Sequence, residues 1–262
     1  MLIPVSRCLR TVKALEYAKQ MKANKQNEVT KRAVIASVNT RSLTNKWSDL
    51  SSKLFWEKRY ANSMHADFDW LVDGDTIVSH IWQEIQSMKH ISKSHLDILD
   101  LGCGFSNVSK RLLQLSDEPI HYVCLDFASE ALAFQKQSLT SLGLGCNHRN
   151  SFGSFIVGDC RHLPFKKNTF DVVLDKGTTD SVMKHKTDGL KFAESTVIEG
   201  LRALKHSGIL VQITDEEPDC RSLFLESVFR NNGMQFDIKY RFVCDDFGIE
   251  KNIFFIRNKK PS

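Results

Sequence analysis

Apolar and polar positions follow two rhythms along this chain, and the switches between them lay out its elements. From residue 96 onward, short apolar runs closed by Asp or Gly alternate with stretches whose apolar residues recur every three or four positions. The run LDILDLG over 96–102 is apolar without alternation and predicts a strand buried on both faces. A helix over 107–115, a strand over 121–127 (HYVCLDF), a helix over 129–141 and a strand over 154–159 (SFIVGD) are expected next. FDVVLD at 170–175 predicts the fourth strand. The helix expected over 188–206 carries Leu190, Ala193, Val197, Leu201 and Leu204 as its stripe, with Gly208 just past its end. GILVQIT at 208–214 gives a fifth strand and 219–230 a further helix, and 237–243 with 252–258 read as a closing antiparallel pair. Strands alternating with helices imply a parallel sheet joined by right-handed crossovers, so the fold class is α/β and Rossmann-like, seven strands with a C-terminal antiparallel hairpin.

Ahead of the sheet, Leu50, Leu54, Phe55 and Trp56 predict a helix within 47–60, and Ile77, Val78, Ile81, Trp82, Ile85 and Met88 a second over 77–88. Together they make a helical cap over 47–94, preceding the main domain at 95–262. At 42% hydrophobic and 26% charged, the 262 residues suit an ordinary folded protein. No stretch approaches the roughly 18 uninterrupted apolar residues of a membrane span, and no membrane partner is expected.

Charge changes the picture more. Residues 1–46 hold ten Lys/Arg against Glu16 and Glu28, or +8, while the rest has 26 basic and 29 acidic residues, or −3. The domain therefore lacks the basic face that phosphate binding needs, and no nucleic-acid partner is expected. The leader is acid-poor, glycine-free and partly amphipathic, as in a mitochondrial transit peptide, with a cut expected between Arg41 and Trp47 and the matrix as destination. A disordered basic tail or a nucleic-acid-binding arm has the same composition. The cysteines at 8, 103, 124, 146, 160, 220 and 244 form no pair of ligand-like spacing, so reduced thiols and no metal site are expected.

The candidate chemistry lies at the carboxyl ends of the strands, where doubly wound sheets bind ligands. Asp100-Leu101-Gly102-Cys103-Gly104 joins strand to helix, and its glycines permit a tight turn with backbone close to a ligand. The third glycine of a dinucleotide fingerprint is replaced by Asn107, so no pyrophosphate is implied. An acid before the glycines suits a ligand bearing an ammonium group, such as the methionine end of S-adenosylmethionine. Asp126 ends the second strand, where a carboxylate accepts both ribose hydroxyls. Asp159, beside Cys160, ends the third within reach of an adenine amino group, and Phe127 is placed to pack on the adenine face. Asp175 and Asp215 end the fourth and fifth strands. A single Asp in such a place is usually a helix cap, but five in register argue for a site. There is no GxSxG elbow, Walker loop or HExxH, and the four histidines at 65, 80, 90 and 95 read as surface residues. The fourth strand lacks the Asn/Asp-Pro-Pro-aromatic loop usual in enzymes that methylate planar amide or base nitrogens.

FWEKRY (55–60), FDW (68–70), ILDLGCGFS (98–106), LDFASEA (125–131), GDCRHLPF (158–165), FDVVLDKGTTD (170–180) and ITDEEPD (213–219) resemble the methyltransferase-like protein-lysine methyltransferases, over about residues 47–258. The resemblance implies the class I methyltransferase fold and S-adenosylmethionine as cofactor, contacted by Asp100, Gly102, Gly104, Asp126, Asp159 and Asp175, with Trp56, Arg59 and Trp70 closing over it. Cys103 and Cys160 fall among these motifs. Thr179 departs from the pattern, where a Trp is expected. The implied acceptor is a protein lysine, on mitochondrial citrate synthase foremost and on an elongation factor 1A-like protein as the alternative. Asp175, Asp180, Asp215 and Glu216 are then the residues that orient its ammonium or guide away its proton. A small-molecule methyltransferase, or a catalytically silent assembly factor on the same fold, would share the glycines and the sheet. The oligomeric state is expected to be monomeric.

Overall fold

The computed structural model describes residues 50–62, 69–88, 95–142, 151–244 and 248–259. The expected leader, Phe68, His65 and His90 lie outside the described residues. In chain order the elements are α1 (Lys53–Asn62), α2 (Gly74–Gln86), β1 (Leu96–Leu101), α3 (Val108–Leu115), β2 (Ile120–Asp126), α4 (Ser129–Thr140) and β3 (Phe152–Val157). There follow β4 (Phe170–Lys176), α5 (Thr178–Met183), α6 (Gly189–Ala203), β5 (Leu204–Thr214), α7 (Pro218–Asn231), β6 (Phe236–Cys244) and β7 (Glu250–Asn258).

The seven strands form one sheet in the order β3-β2-β1-β4-β5-β7-β6. The first five are parallel, while β7 runs antiparallel to both β5 and β6. This is the expected α/β Rossmann-like sheet, with the last strand slotted inside the closing pair. The apolar runs become central strands because successive side chains face opposite layers. Ile98, Tyr122, Val172 and Ile209 point to one face, where α2, α3 and α4 supply Ile81, Ile85, Leu112 and Leu132. Leu99, Val123, Val173 and Leu210 point to the other, met by Val197 and Leu201 of α6 and Leu225 and Phe229 of α7.

Four expectations are corrected. The long helix ends at Ala203, not 206, because Leu204 turns extended (φ −74°, ψ 135°) and pairs with Phe170 at the start of β4. The third strand begins at Phe152 and ends at Val157, since its register is fixed by His121 to Asp126 of β2. Leu54, expected on the apolar side of α1, is exposed, whereas Trp56 and Leu50 are buried. Cys103, Cys124, Cys160 and Cys244 are free thiols, but Cys220 is disulfide-bonded, against the expectation of uniformly reduced cysteines. Among the described residues no helix is long and apolar enough to cross a membrane, and no group of His, Cys, Asp and Glu is placed to hold a metal.

Candidate cofactor cleft

A cleft of about 700 Å³, including its mouth, opens over the carboxyl ends of β1, β2 and β4, within the range of small-ligand sites. Its floor is the turn from β1 to α3. Gly102 (φ +65°) and Gly104 (φ +49°) both hold left-handed backbone that a side chain resists. A Cβ on Gly102 would lie 2.3 Å from Thr178 Oγ1, and one on Gly104 2.8 Å from the Tyr60 hydroxyl. The turn is held from below by Gln135 of α4, whose Nε2 donates to the carbonyls of Gly104 (3.0 Å) and Ser106 (2.7 Å). Ser109 donates to Gln135 Oε1 at 2.9 Å and fixes the amide's orientation.

Asp126 lines the cleft at the end of β2. Its Oδ2 accepts from Gly104 N–H at 3.0 Å and its Oδ1 from Ala128 N–H at 2.9 Å. Each oxygen keeps a lone pair for one more donor, which fits the two hydroxyls of a ribose. Burial raises its pKa to about 6, against the lowering effect of the Ala128 and Gly104 amides. Phe127, Cys103, Cys160, Gly158 and Leu125 also line the cleft, giving an apolar slot beside Asp126 that fits a purine. Burial pushes the Cys160 thiol up to about 12, so it remains protonated and is a packing group.

The wall over the floor is aromatic. Trp56 stacks on Tyr60 (5.6 Å between ring centres), Tyr60 on Phe105 (4.6 Å), and Trp56 meets Trp70 edge-on at 5.4 Å. Trp56, Tyr60, Trp70 and Phe105 all line the cleft. Tyr60 and Phe105 lie within FWEKRY and ILDLGCGFS but were not expected at the site, because spacing alone does not distinguish a ring facing a ligand from one facing the core. Trp56 Nε1 donates to Leu50 O (2.6 Å) and Ser181 Oγ (3.2 Å), which ties α1 to α5. Arg59, on the last turn of α1, is half-buried and does not line the cleft.

The remaining acids at the strand ends have other partners. Asp100 lies beneath the glycine turn, fully enclosed, and accepts from the Tyr122 hydroxyl at 2.9 Å. Burial raises its pKa to about 7, opposed by that hydrogen bond and by the Lys176 ammonium. The acid that does line the cleft by this turn is Asp69. Asp159 is clamped by Arg161, whose Nε lies 2.9 and 3.0 Å from its two oxygens. Burial works against its ionisation, but the Arg161 hydrogen bonds outweigh it and hold the carboxyl below its usual range. Asp175 accepts from the amides of Thr178 (2.9 Å) and Thr179 (3.0 Å), from Gln212 Nε2 (2.8 Å) and from the Thr179 hydroxyl. It thus caps α5 and does not line the cleft.

Asp180 accepts from Thr214 Oγ1 (2.7 Å) and Arg221 (2.6 Å), and Glu216 pairs with the same guanidinium at 3.0 Å. Arg221 is wholly buried. Burial raises the Asp180 carboxyl to about 6 even though Arg221 and Thr214 lower it. Asp215 is exposed on the loop above. The four expected acceptor-side acids are therefore a helix cap, two halves of one ion-pair cluster and a surface residue. None lines the cleft.

Two substitutions test this geometry. Asp100→Asn is expected to stabilise the protein, because a carboxyl with a raised pKa costs most when ionised. The gain is near zero at pH 4, grows as pH rises towards about 7, and levels off above that at roughly 4 kcal/mol. Melting curves across that pH range check it. Gly177 takes φ +76°, and a Cβ there would sit 2.7 Å from the Trp70 ring. Gly177→Ala is expected to cost about 1–3 kcal/mol of stability and, by displacing Trp70, to weaken cofactor binding measured by calorimetry.

The methyltransferase domain family matches residues 92–226. The mitochondrial citrate synthase-lysine N-methyltransferase of Homo sapiens is 31% identical over 189 residues, covering 68% of this chain and 76% of that protein. Its counterpart in Danio rerio is 27% identical over 184 residues, covering 68% and 72%. Among solved structures, the [4+2]-cyclase SpnF superposes with a TM-score of 0.55 at 14% identity, covering 82% of this chain and 98% of that one. TrmN from Thermus thermophilus gives a TM-score of 0.51 at 15% identity, covering 70% and 48%. These structures share the fold; the sequence matches carry the assignment. The chain belongs to the methyltransferase domain family, is similar to the mitochondrial citrate synthase-lysine N-methyltransferases, and is a class I enzyme that uses S-adenosylmethionine.

Proposed function

We propose that the enzyme methylates the ε-amino group of a lysine on a protein, with citrate synthase as the substrate and the mitochondrial matrix as the compartment. The observation that carries this is the 31% identity to the human citrate synthase-lysine enzyme over 76% of that protein's length. The basic, acid-poor leader at 1–46 supports the compartment. The division into leader (1–46), helical cap (47–94) and cofactor domain (95–262) belongs to the same reading.

In this reading Asp126 holds the ribose, Gly102 and Gly104 let the backbone approach the ligand, and Phe127, Cys103 and Cys160 flank the base. Trp56, Tyr60 and Trp70 close the side opposite the sheet. Asp100, whose pKa burial raises to about 7, acts from beneath the glycine turn as a buried carboxyl. When bound, S-adenosylmethionine supplies a methyl group made electrophilic by its sulfonium. The protein's part is positioning, which is worth up to roughly 7–11 kcal/mol in favourable cases. A lysine with an ordinary pKa near 10.4 must shed its proton before it attacks. An aromatic wall favours the neutral amine by denying water to the ammonium. Asp180 and Glu216, already paired with Arg221, shape the rim. Asp215, exposed at the same edge, attracts the incoming lysine as an ammonium.

The test is to incubate purified enzyme and methyl-labelled S-adenosylmethionine with citrate synthase and, separately, with mitochondrial extract. Label on a lysine of citrate synthase, located by mass spectrometry, is the expected result. Label confined to small molecules or RNA would sink the lysine assignment.

A further inference from the structure

Lys176 closes β4, a fully buried strand, and a lysine at a strand end ordinarily reaches into solvent. Here its side chain is 6% exposed. Its ammonium donates to Asp69 Oδ1 and the Trp70 carbonyl, and to the Val72 carbonyl at 3.2 Å. All three acceptors belong to the segment between α1 and α2, more than 100 positions away in sequence. An ammonium has three protons, and here each has a partner. The other oxygen of Asp69 accepts from the Gly74 amide and the Ser106 hydroxyl, both at 3.2 Å, so the segment is also tied to the glycine turn.

We infer that Lys176 is a positioning residue for the cofactor: it fastens residues 69–72 across the carboxyl edge of the sheet, and so sets Trp70 as the wall of the cleft. Lys176, Asp69 and Trp70 all line that cleft. Gly177, the next residue, leaves the space that the Trp70 ring fills, so two successive positions at the end of β4 serve one side chain. The helix α1 touches Trp70 through Trp56 but has its own ties, from Trp56 to Leu50 and Ser181. Loss of Lys176 should therefore release the 69–72 segment without detaching α1 or the sheet. The inference depends on the cofactor site alone and is indifferent to which acceptor is methylated.

The test uses the full chain and its Lys176→Met, Lys176→Arg and Asp69→Asn variants. S-adenosylmethionine binding is followed by calorimetry, and amide hydrogen exchange is followed without ligand. Wild-type binding under the same conditions is the control that separates failure of this inference from failure of the cofactor site itself. For Lys176→Met we expect at least a tenfold loss of affinity, faster exchange over 69–74, and unchanged exchange in β1 and α1. Lys176→Arg should recover part of the affinity, and Asp69→Asn should lose part of it. In turnover, the KM for S-adenosylmethionine should rise while the KM for the acceptor stays within twofold. Affinity within twofold of wild type in Lys176→Met would overturn the inference. So would a variant that loses protection throughout the sheet while Asp69→Asn binds as wild type, for Lys176 would then be serving the fold alone.

Discussion

Asp126→Ala is expected to lower affinity for S-adenosylmethionine by at least about 100-fold. Hydrogen bonds to a charged group are worth about 1.5–3 kcal/mol each, and the carboxylate has two to give to a ribose. The substitution also frees the Gly104 amide, which now donates to Asp126 at 3.0 Å and helps to hold the floor of the cleft. Folding should not suffer equally, because burial already makes this carboxyl costly, raising its pKa to about 6. Wild-type affinity should accordingly weaken as pH falls below 6, where the acid is neutral and a worse acceptor. Asp126→Asn should bind weakly with a flatter pH profile. Calorimetric titrations between pH 5 and 8, with melting curves alongside, check both halves. Wild-type affinity in Asp126→Ala would mean that the nucleoside sits elsewhere.

Arg221→Met is expected to be the most destabilising change, at about 3–5 kcal/mol near neutral pH, because it removes a fully buried cation and leaves the partly buried Asp180 and Glu216 without their partner. Arg221 is fully buried and serves Asp180 and Glu216 together, with Thr214 bridging. For a chain of this size that corresponds to a fall in melting temperature on the order of 10 °C. The sign of its pH dependence follows from Asp180, whose pKa burial has raised to about 6 with the guanidinium still opposing. Without Arg221 that carboxyl is neutral over a wider range, so the deficit should shrink between pH 8 and pH 5. Asp180→Asn added to Arg221→Met should restore part of the loss. A deficit that is the same at both pH values would show that the cluster does not act through charge.

The sheet was legible because its central strands are buried on both faces and so spell out continuous apolar runs. That the first five strands are parallel follows from alternation with helices, and the closing pair from proximity; the order β3-β2-β1-β4-β5, with its reversal at β1, was not legible. The helix α5 was not legible: TTDSVM is six residues rich in poor helix formers, and it forms because Asp175 caps it from the preceding strand. The acids at the strand ends show both the power and the limit of the reading. Their register at one edge is a matter of spacing, but the direction of each carboxylate is settled by neighbours far along the chain, such as Tyr122 for Asp100 and Gln212 for Asp175. Asp126 faces the cleft, whereas Asp100, Asp159 and Asp175 are taken up by protein donors. Lys176 escaped notice for the same reason, since its partners are remote in sequence. Gln135, mid-helix and polar, carried no local sign that its amide braces the glycine turn.

The strand β7 comes after every other strand in the chain, yet it lies between β5 and β6. During synthesis the ribosome must pass residue 258 before β5 gains its second neighbour, and until then β6 has no place to dock. The nascent polypeptide thus carries an unfinished, apolar rim from the completion of β5 at Thr214 until β7 is made, the condition in which chains recruit chaperones or clump. A premature stop ahead of residue 250 would release a product with bare rims on both β5 and β6, and it should precipitate, not merely lack activity.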